Sequence, residues 1–225
     1  MRSPEERDRS VPDIVAGRRV RRVDVEVVPG MELFVLEAAD PDIVLDETAQ
    51  GAGDAYAAIL WPSALAAAAR IAALVRRGDA VLDLGAGTGL PALAAARRGA
   101  RSTALDHDPF ARAVITEAAR LQRLRVEVID ADIASDAPLP EATIVVMADL
   151  LYEPELARAA ARRALELIEG GCRVLVTDPG RFARTTFERS LRDAGVEVAF
   201  DDSLVRVPLE PQPSRIGVAL IEPRA

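Results

Sequence analysis

Residues 81–90 read VLDLGAGTGL, preceded by Ala80 and followed by Pro91. An apolar run broken only by Asp83 gives way to three glycines in five positions, Gly85, Gly87 and Gly89, and then to the alanine-rich stretch 91–98. A short run that is apolar on both faces suits a strand buried in a parallel sheet. Proline just after the loop suits a helix start. Strand, bare loop and helix in that order form the opening unit of an open α/β sheet. In such sheets ligands bind outside the carboxyl ends of the strands, where strand order reverses. Glycines there let backbone N–H groups approach a ligand without side-chain obstruction, and the positive end of the following helix favours a carboxylate or phosphate.

Outward from this loop the pattern repeats. Periodicity and turn residues predict a helix over 62–77 closed by Gly78, the strand 80–84, helix 91–98, strand 101–106, helix 109–121 and strands 125–130 and 142–148. There follow helix 154–168, strand 173–177, helix 182–193 and strands 195–200 and 215–221. Strands separated by helices of about ten or more residues imply right-handed crossovers and a parallel sheet covered on both faces. The last two strands have only a loop between them and should pair antiparallel. The predicted fold is therefore α/β and Rossmann-like: seven strands, mostly parallel, the last antiparallel, with helices on both faces.

Ahead of this lies an N-terminal extension. Residues 1–17 are polar and punctuated by proline and glycine, a loosely held start. RRVDVEVVPGMELFVLEA alternates around Pro29-Gly30 and reads as a β-hairpin with strands 20–28 and 31–37. The arginines of GRRVRRV (17–23) are either its solvated face or a substrate-facing basic patch. Residues 40–58 form a linker with turn signals at Asp40-Pro41 and Gly51–Gly53. The chain divides into an extension over 1–54 and a main domain over 55–225.

Composition narrows the function. A net charge of -8 over 225 residues speaks against a nucleic-acid partner, whose phosphates need a basic face. All 28 basic residues are arginine. One cysteine, Cys172, and one histidine, His107, make neither a disulfide framework nor a metal cage. The start MRSPEERDRSV has no apolar segment, and no stretch of about 18 apolar residues follows. We expect no metal, no membrane contact, a cytoplasmic location and a monomer.

Spacing then separates cofactors. A dinucleotide fingerprint G-x-G-x-x-G would need glycine where Leu90 stands, and a phosphate loop ending in G-K-[ST] needs a lysine. The observed D-x-G-x-G-x-G, Asp83 to Gly89, instead resembles motif I of the class I S-adenosylmethionine (SAM) methyltransferases. The resemblance implies that Asp83 serves the SAM ammonium group, while the loop amides and helix end face its carboxylate. Asp106, closing the second strand, binds the ribose hydroxyls or else caps a helix. His107 lies against adenine or faces solvent. Asp132 with the Ile133 amide sits near the adenine amino group, with Asp130 as its competitor.

DAYAAILWPSALAAAA (54–69), ADLLYEPELA (148–157) and LVTDPGR (175–181) together resemble the lysine methyltransferases that modify the β subunit of electron-transfer flavoprotein. The likeness runs from about Val35 to Arg181. It implies that Trp61, in a W-P element, closes over the cofactor. It also implies that Asp149 and Tyr152, in an Asp-x-x-Tyr element, handle the acceptor, a lysine-bearing protein. Asp178–Arg181 matches the family too, although a turn explains it as simply. Departures concern the acceptor side. The family's P-Y-W-A element reads Ala55-Tyr56-Ala57-Ala58 here, its glycine pair after W-P is Ser63-Ala64, and the C-terminal strand lacks a tryptophan. A small amine as acceptor, a ribosomal protein, or a non-catalytic SAM-binding module therefore stay open as alternatives.

Overall fold

The computed structural model describes residues 11–41, 43, 56–208 and 212–223. The Gly51–Gly53 turn and the boundary at residues 54/55 lie outside them. Three strands, β1 (Ile14–Val15), β2 (Arg18–Val28) and β3 (Met31–Ala38), pair antiparallel in that order. Seven more build the main sheet: β4 (Ala80–Leu84), β5 (Arg101–Asp106), β6 (Val126–Asp130), β7 (Ile144–Ala148), β8 (Arg173–Asp178), β9 (Asp201–Val205) and β10 (Ser214–Ile221). Their spatial order is β6-β5-β4-β7-β8-β10-β9. Strands β4 to β8 are parallel, and β10 runs antiparallel to both β8 and β9. This is the predicted sheet with its last strand reversed. Order reverses at β4, between β5 and β7, so the crevice expected in such sheets opens at the end of VLDL.

Among the described residues five helices flank the sheet: α1 (Pro62–Leu74), α2 (Leu90–Arg97), α3 (Pro109–Gln122), α4 (Pro154–Glu169) and α5 (Arg184–Asp193). One core joins α1, α2 and α3 with the N-terminal sheet, Ala67, Leu93 and Val114 meeting Val23 and Leu36. A second, on the opposite face, packs α4 and α5 through Ala160, Leu167 and Phe187 on Leu82, Met147 and Val176. The hairpin is fixed to the main fold by the Gln122 side chain, which accepts the Phe34 N–H and donates to the Phe34 carbonyl, closing the edge of β3. Among the described residues no helix is long and apolar enough to cross a membrane.

Three expectations need correction. Residues 14–15 are not loose: Ala16 and Gly17, at φ 48° and 79°, close a two-residue turn that returns Val15 onto β2. The first helix ends at Leu74, because Val75 turns extended to bury its side chain and the Asp79 carboxylate takes up the Arg76 N–H. The strand placed at 195–200 begins only at Asp201. Val196, Val198 and Phe200 keep the alternation because they pack into the second core, but pairing with β10 starts at Asp201 opposite Val218. As for the arginines of β2, each meets an acid or a ring. Arg18 lies over Phe110, Arg19 near Asp40, Arg21 on Glu37, and Arg22 on Asp24 and over Phe34. Arg18, Arg19 and Arg21 are exposed, in line with the solvated reading, whereas Arg22 is half-buried.

Candidate functional site

A crevice lies at the carboxyl ends of β4 to β7. Trp61, Gly85, Gly87, Asp106, His107, Asp132, Ile133, Asp149 and Tyr152 all line it, with Tyr56, Ala57 and Leu150. Of the residues singled out from sequence, Asp83 and Gly89 do not.

The three glycines of the loop do different work. Gly85, at φ 61°, faces the crevice, where a Cβ would stand 2.5 Å from Leu150 Cδ2. Gly87 lies under the Ala57 carbonyl. Gly89, at φ 73°, is bare for packing: a Cβ there would come 2.7 Å from Ile115 Cγ1 of α3. The loop amides are also committed differently from expectation. Ala86, Gly87 and Gly89 donate to Leu105 O, Asp106 Oδ2 and Ala86 O, so the loop offers close approach more than a ring of free donors. Such a loop suits a ligand without a pyrophosphate.

Asp83 sits beneath the loop, 1 % exposed, where its Oδ2 accepts the Ala92 N–H at 3.1 Å. It caps α2 in place of Gly89, which has no side chain to do so. Burial pushes its pKa well above the usual 3.8, the Ala92 bond works against that, and Asp106 adds to it. Asp106 is bound on both oxygens, by the Gly87 N–H at 2.8 Å and the Asp108 N–H at 2.9 Å. Burial raises its pKa too, opposed by those two bonds. Asp108, not Asp106, caps α3 by accepting the Ala111 N–H at 2.8 Å, which leaves Asp106 facing the crevice.

Two acids compete for the adenine side. Asp132 lines the crevice, whereas Asp130 is paired with Arg112 at 2.9 Å away from it. The loop carrying Asp132 and Ile133 is stapled from below by a residue that sequence reading missed. Arg163 of α4, buried, donates to the carbonyls of Ile133, Ser135 and Ala137 and pairs with Glu166. Its position, three after Ala160 and four before Leu167 on the buried stripe, is the signal that could have found it.

On the other side of the crevice, Asp149 stands at φ 59°, buried, with its N–H donated to Thr177 O. Ser63 Oγ donates to Asp149 Oδ2 at 3.2 Å, and Arg181 Nε donates to Oδ1 at 2.9 Å. The serine that departs from the family pattern thus touches the site. The Asp178–Arg181 turn is held by Asp178 Oδ1, which accepts the Gly180 and Arg181 N–H groups, while Oδ2 of this buried residue has no hydrogen-bond partner. Burial raises the Asp178 pKa, those two bonds oppose it, and Asp149 adds to the rise. Tyr56 and Tyr152 rings lie 5.5 Å apart, Trp61 is 6.1 Å from Tyr56, and Trp61 Nε1 donates to Tyr56 O. Leu60, just before Trp61, donates its N–H to the buried Glu37 of β3, so the hairpin helps hold this aromatic segment.

Among the described residues no group of three His, Cys, Asp or Glu could hold a metal ion. The lining does fit SAM: bare backbone at Gly85 and Gly87, an acid at the end of β5, and an apolar and acidic wall at Asp132 and Ile133. Residues 81–171 match the family model of a methyltransferase domain, and the sheet order and the crevice accord with that match.

Among named proteins, the chain is 36% identical over 132 residues to the electron transfer flavoprotein beta subunit lysine methyltransferase of Homo sapiens. The match covers 57% of this chain and 50% of that protein. It is 31% identical over 156 residues to the histone-arginine methyltransferase METTL23 of Mus musculus, covering 64% and 57%. The chain thus spans about half the length of the curated relatives it matches. In fold it is similar to magnesium protoporphyrin IX methyltransferase from Synechocystis PCC 6803 with bound SAM. There the TM-score is 0.55 and the identity 18%, over 72% of this chain and 80% of that one.

Proposed function

We propose that this chain transfers the methyl group of SAM to a nitrogen of a protein side chain, a lysine amine first among the candidates, as a cytoplasmic monomer. The observation that carries this reading is a second pocket beside the crevice. It is lined by Tyr56, Trp61, Asp149, Tyr152, Glu153, Arg181 and Phe182, and four of these also line the crevice. Aromatic faces with a buried acid suit an amine whose polar end needs a hydrogen-bond acceptor and whose stem needs apolar cover. The lysine and the histone-arginine methyltransferases named above act on basic side chains, as their names state.

SAM, when bound, supplies a methyl group already made electrophilic by its sulfonium. The chain's own residues have therefore to hold, orient and dry the two partners. Asp106 and the Asp132–Ile133 loop hold the nucleoside end, and the Trp61 segment covers it. Asp149 accepts a hydrogen bond from the incoming amine, and the Tyr56–Tyr152 pair shapes the aperture. A free lysine amine has a pKa near 10.4, so the site must receive it neutral or make it so.

A small amine is the second reading, favoured by Ala57 where the family carries tryptophan. Incubation with radiolabelled SAM and a cell extract separates the two. Label in a protein band, absent with Asp149→Ala, is the expected result. Label in the small-molecule fraction would establish the second reading, and none in either would leave a SAM-binding module.

A further inference from the structure

Methyl transfer as outlined needs an acceptor for the amine's hydrogen, yet the fold supplies Asp149 with a fixed cation as well. Arg181 reaches Asp149 from 32 residues further along the chain and donates Nε to Oδ1 at 2.9 Å. Its guanidinium lies 5.4 Å from the Trp61 ring, inside the second pocket. Its backbone is pinned by Asp178, and the Asp149 carboxylate is fixed from the opposite side by the buried Ser63. The Arg181 side chain is 35% exposed and that of Asp149 6%, so the pair is largely out of water and weakly screened.

An unpaired carboxylate in such a pocket would bind an ammonium group tightly and hold it there. An ammonium has no lone pair and cannot attack a methyl group. The geometry points to Arg181 as a positioning residue that pairs Asp149 so that the pocket takes the acceptor amine without its proton. Asp149 then still accepts an N–H hydrogen bond, while the guanidinium cancels most of the carboxylate's pull on a cation. The amine releases its proton to solvent on entry. Its nitrogen lone pair forms the N–C bond as the S–C bond breaks with its electrons retained on sulfur, and the methylated ammonium product leaves and equilibrates in solvent.

Other charges near the pair do not replace Arg181. Glu153 is at the mouth, Asp178 lies behind the pair with Arg184 near it, and Asp106 with His107 belongs to the cofactor side. Burial opposes the charge of Arg181, and the bond to Asp149 with the fields of Asp149 and Asp178 more than restores it, so its pKa is held above the ordinary arginine value.

This inference rests on the amine-acceptor reading, and its test needs no identified acceptor. Sinefungin carries an amine-bearing carbon where SAM has its methyl sulfonium, so bound in the crevice it presents an amine to this pocket. S-adenosylhomocysteine lacks that group. The affinities of both are measured by calorimetry from pH 6.5 to 9.5 for the wild type, Arg181→Gln, Arg181→Met and Arg181→Lys. With wild type, the preference for sinefungin over S-adenosylhomocysteine should grow as pH rises and its amine loses its proton. In Arg181→Gln and Arg181→Met that preference should increase about tenfold at pH 7 and fall as pH rises, with S-adenosylhomocysteine affinity unchanged. Arg181→Lys should restore the wild-type trend. An unchanged preference in both neutral variants, or equal loss of both ligands, overturns the role of Arg181. Failure of wild type to bind S-adenosylhomocysteine would overturn the cofactor site itself, and label confined to non-amine acceptors in the extract would overturn the reading beneath both.

Discussion

On the cofactor side, Gly85, Gly87 and Asp106 line the crevice and Asp83 lies beneath it, all from two adjacent parallel strands and the loops that end them. On the side proposed for the acceptor, Ser63, Asp149 and Arg181 meet across 86 and 32 residues of chain, joined by Tyr56 and Trp61 from ahead of α1. The first half is mostly a demand on the backbone: positive φ, room without a Cβ, a strand end that carries an acid. The second is a demand on side chains, which meet only because β7 and β8 are neighbours and α1 begins above them. A site of the first kind survives as a spacing; one of the second kind leaves scattered residues with no common pattern.

The largest expected effect tests whether the halves are separable. Asp149→Ala should lower turnover by on the order of a hundredfold or more, because it removes the acceptor and leaves Arg181 unpaired in the pocket. S-adenosylhomocysteine affinity should stay within about threefold, since few lost contacts reach the cofactor side. Equal loss of both would merge the halves. Conversely, Asp106→Ala should weaken S-adenosylhomocysteine by about tenfold to 150-fold, as charge-assisted hydrogen bonds are worth roughly 1.5–3 kcal/mol. Turnover at saturating SAM should change far less, which initial-rate kinetics will show.

Next in size, Gly89→Ala separates packing from binding inside one motif. The strained φ and the clash with Ile115 should cost about 2 kcal/mol, a fall of roughly 4–8 °C in melting temperature. Affinity for S-adenosylhomocysteine should move little. Loss of affinity at unchanged melting temperature would return Gly89 to the ligand.

The smallest effect concerns Asp83. Its folded pKa lies above 3.8, so the folded state holds the proton to higher pH than the unfolded chain does. Its contribution to stability is therefore fully present below about pH 3.8 and is lost as pH rises through the folded value. Asp83→Asn keeps the cap on Ala92 but carries no charge. Urea midpoints near pH 7 should rise by about 1 kcal/mol of stability, and the part of the wild-type decline with rising pH that Asp83 causes should vanish. If Asp83 serves the SAM ammonium, SAM affinity must fall as stability rises; stability rising alone would leave Asp83 a helix cap.

Much of this was readable in the chain. Near-continuous apolar runs such as AVLDL and TIVVM announced buried strands, and the spacing Asp83-Gly85-Gly87-Gly89 with Leu90 separated one cofactor class from another. The division of labour among the glycines was not readable, because whether a missing Cβ makes room for a ligand or for Ile115 depends on where α3 packs. The choice of Asp132 over Asp130 was open for a similar reason: Arg112 on the neighbouring helix claims Asp130. VEVAF over 196–200 has a strand's alternation, and only the register with β10 excludes it from the ladder.

The sequence alone determined the α/β unit, the sheet with one reversed strand and the place where a cofactor enters, since each follows from local backbone preference and periodic burial. The tertiary structure decided that Ser63, Asp149 and Arg181 form one cluster, that Arg163 braces the loop of Asp132, and that Asp83 is buried beneath the glycine loop, where it caps a helix. Those outcomes depend on which strands become neighbours, a property of the whole core that no short window of residues contains.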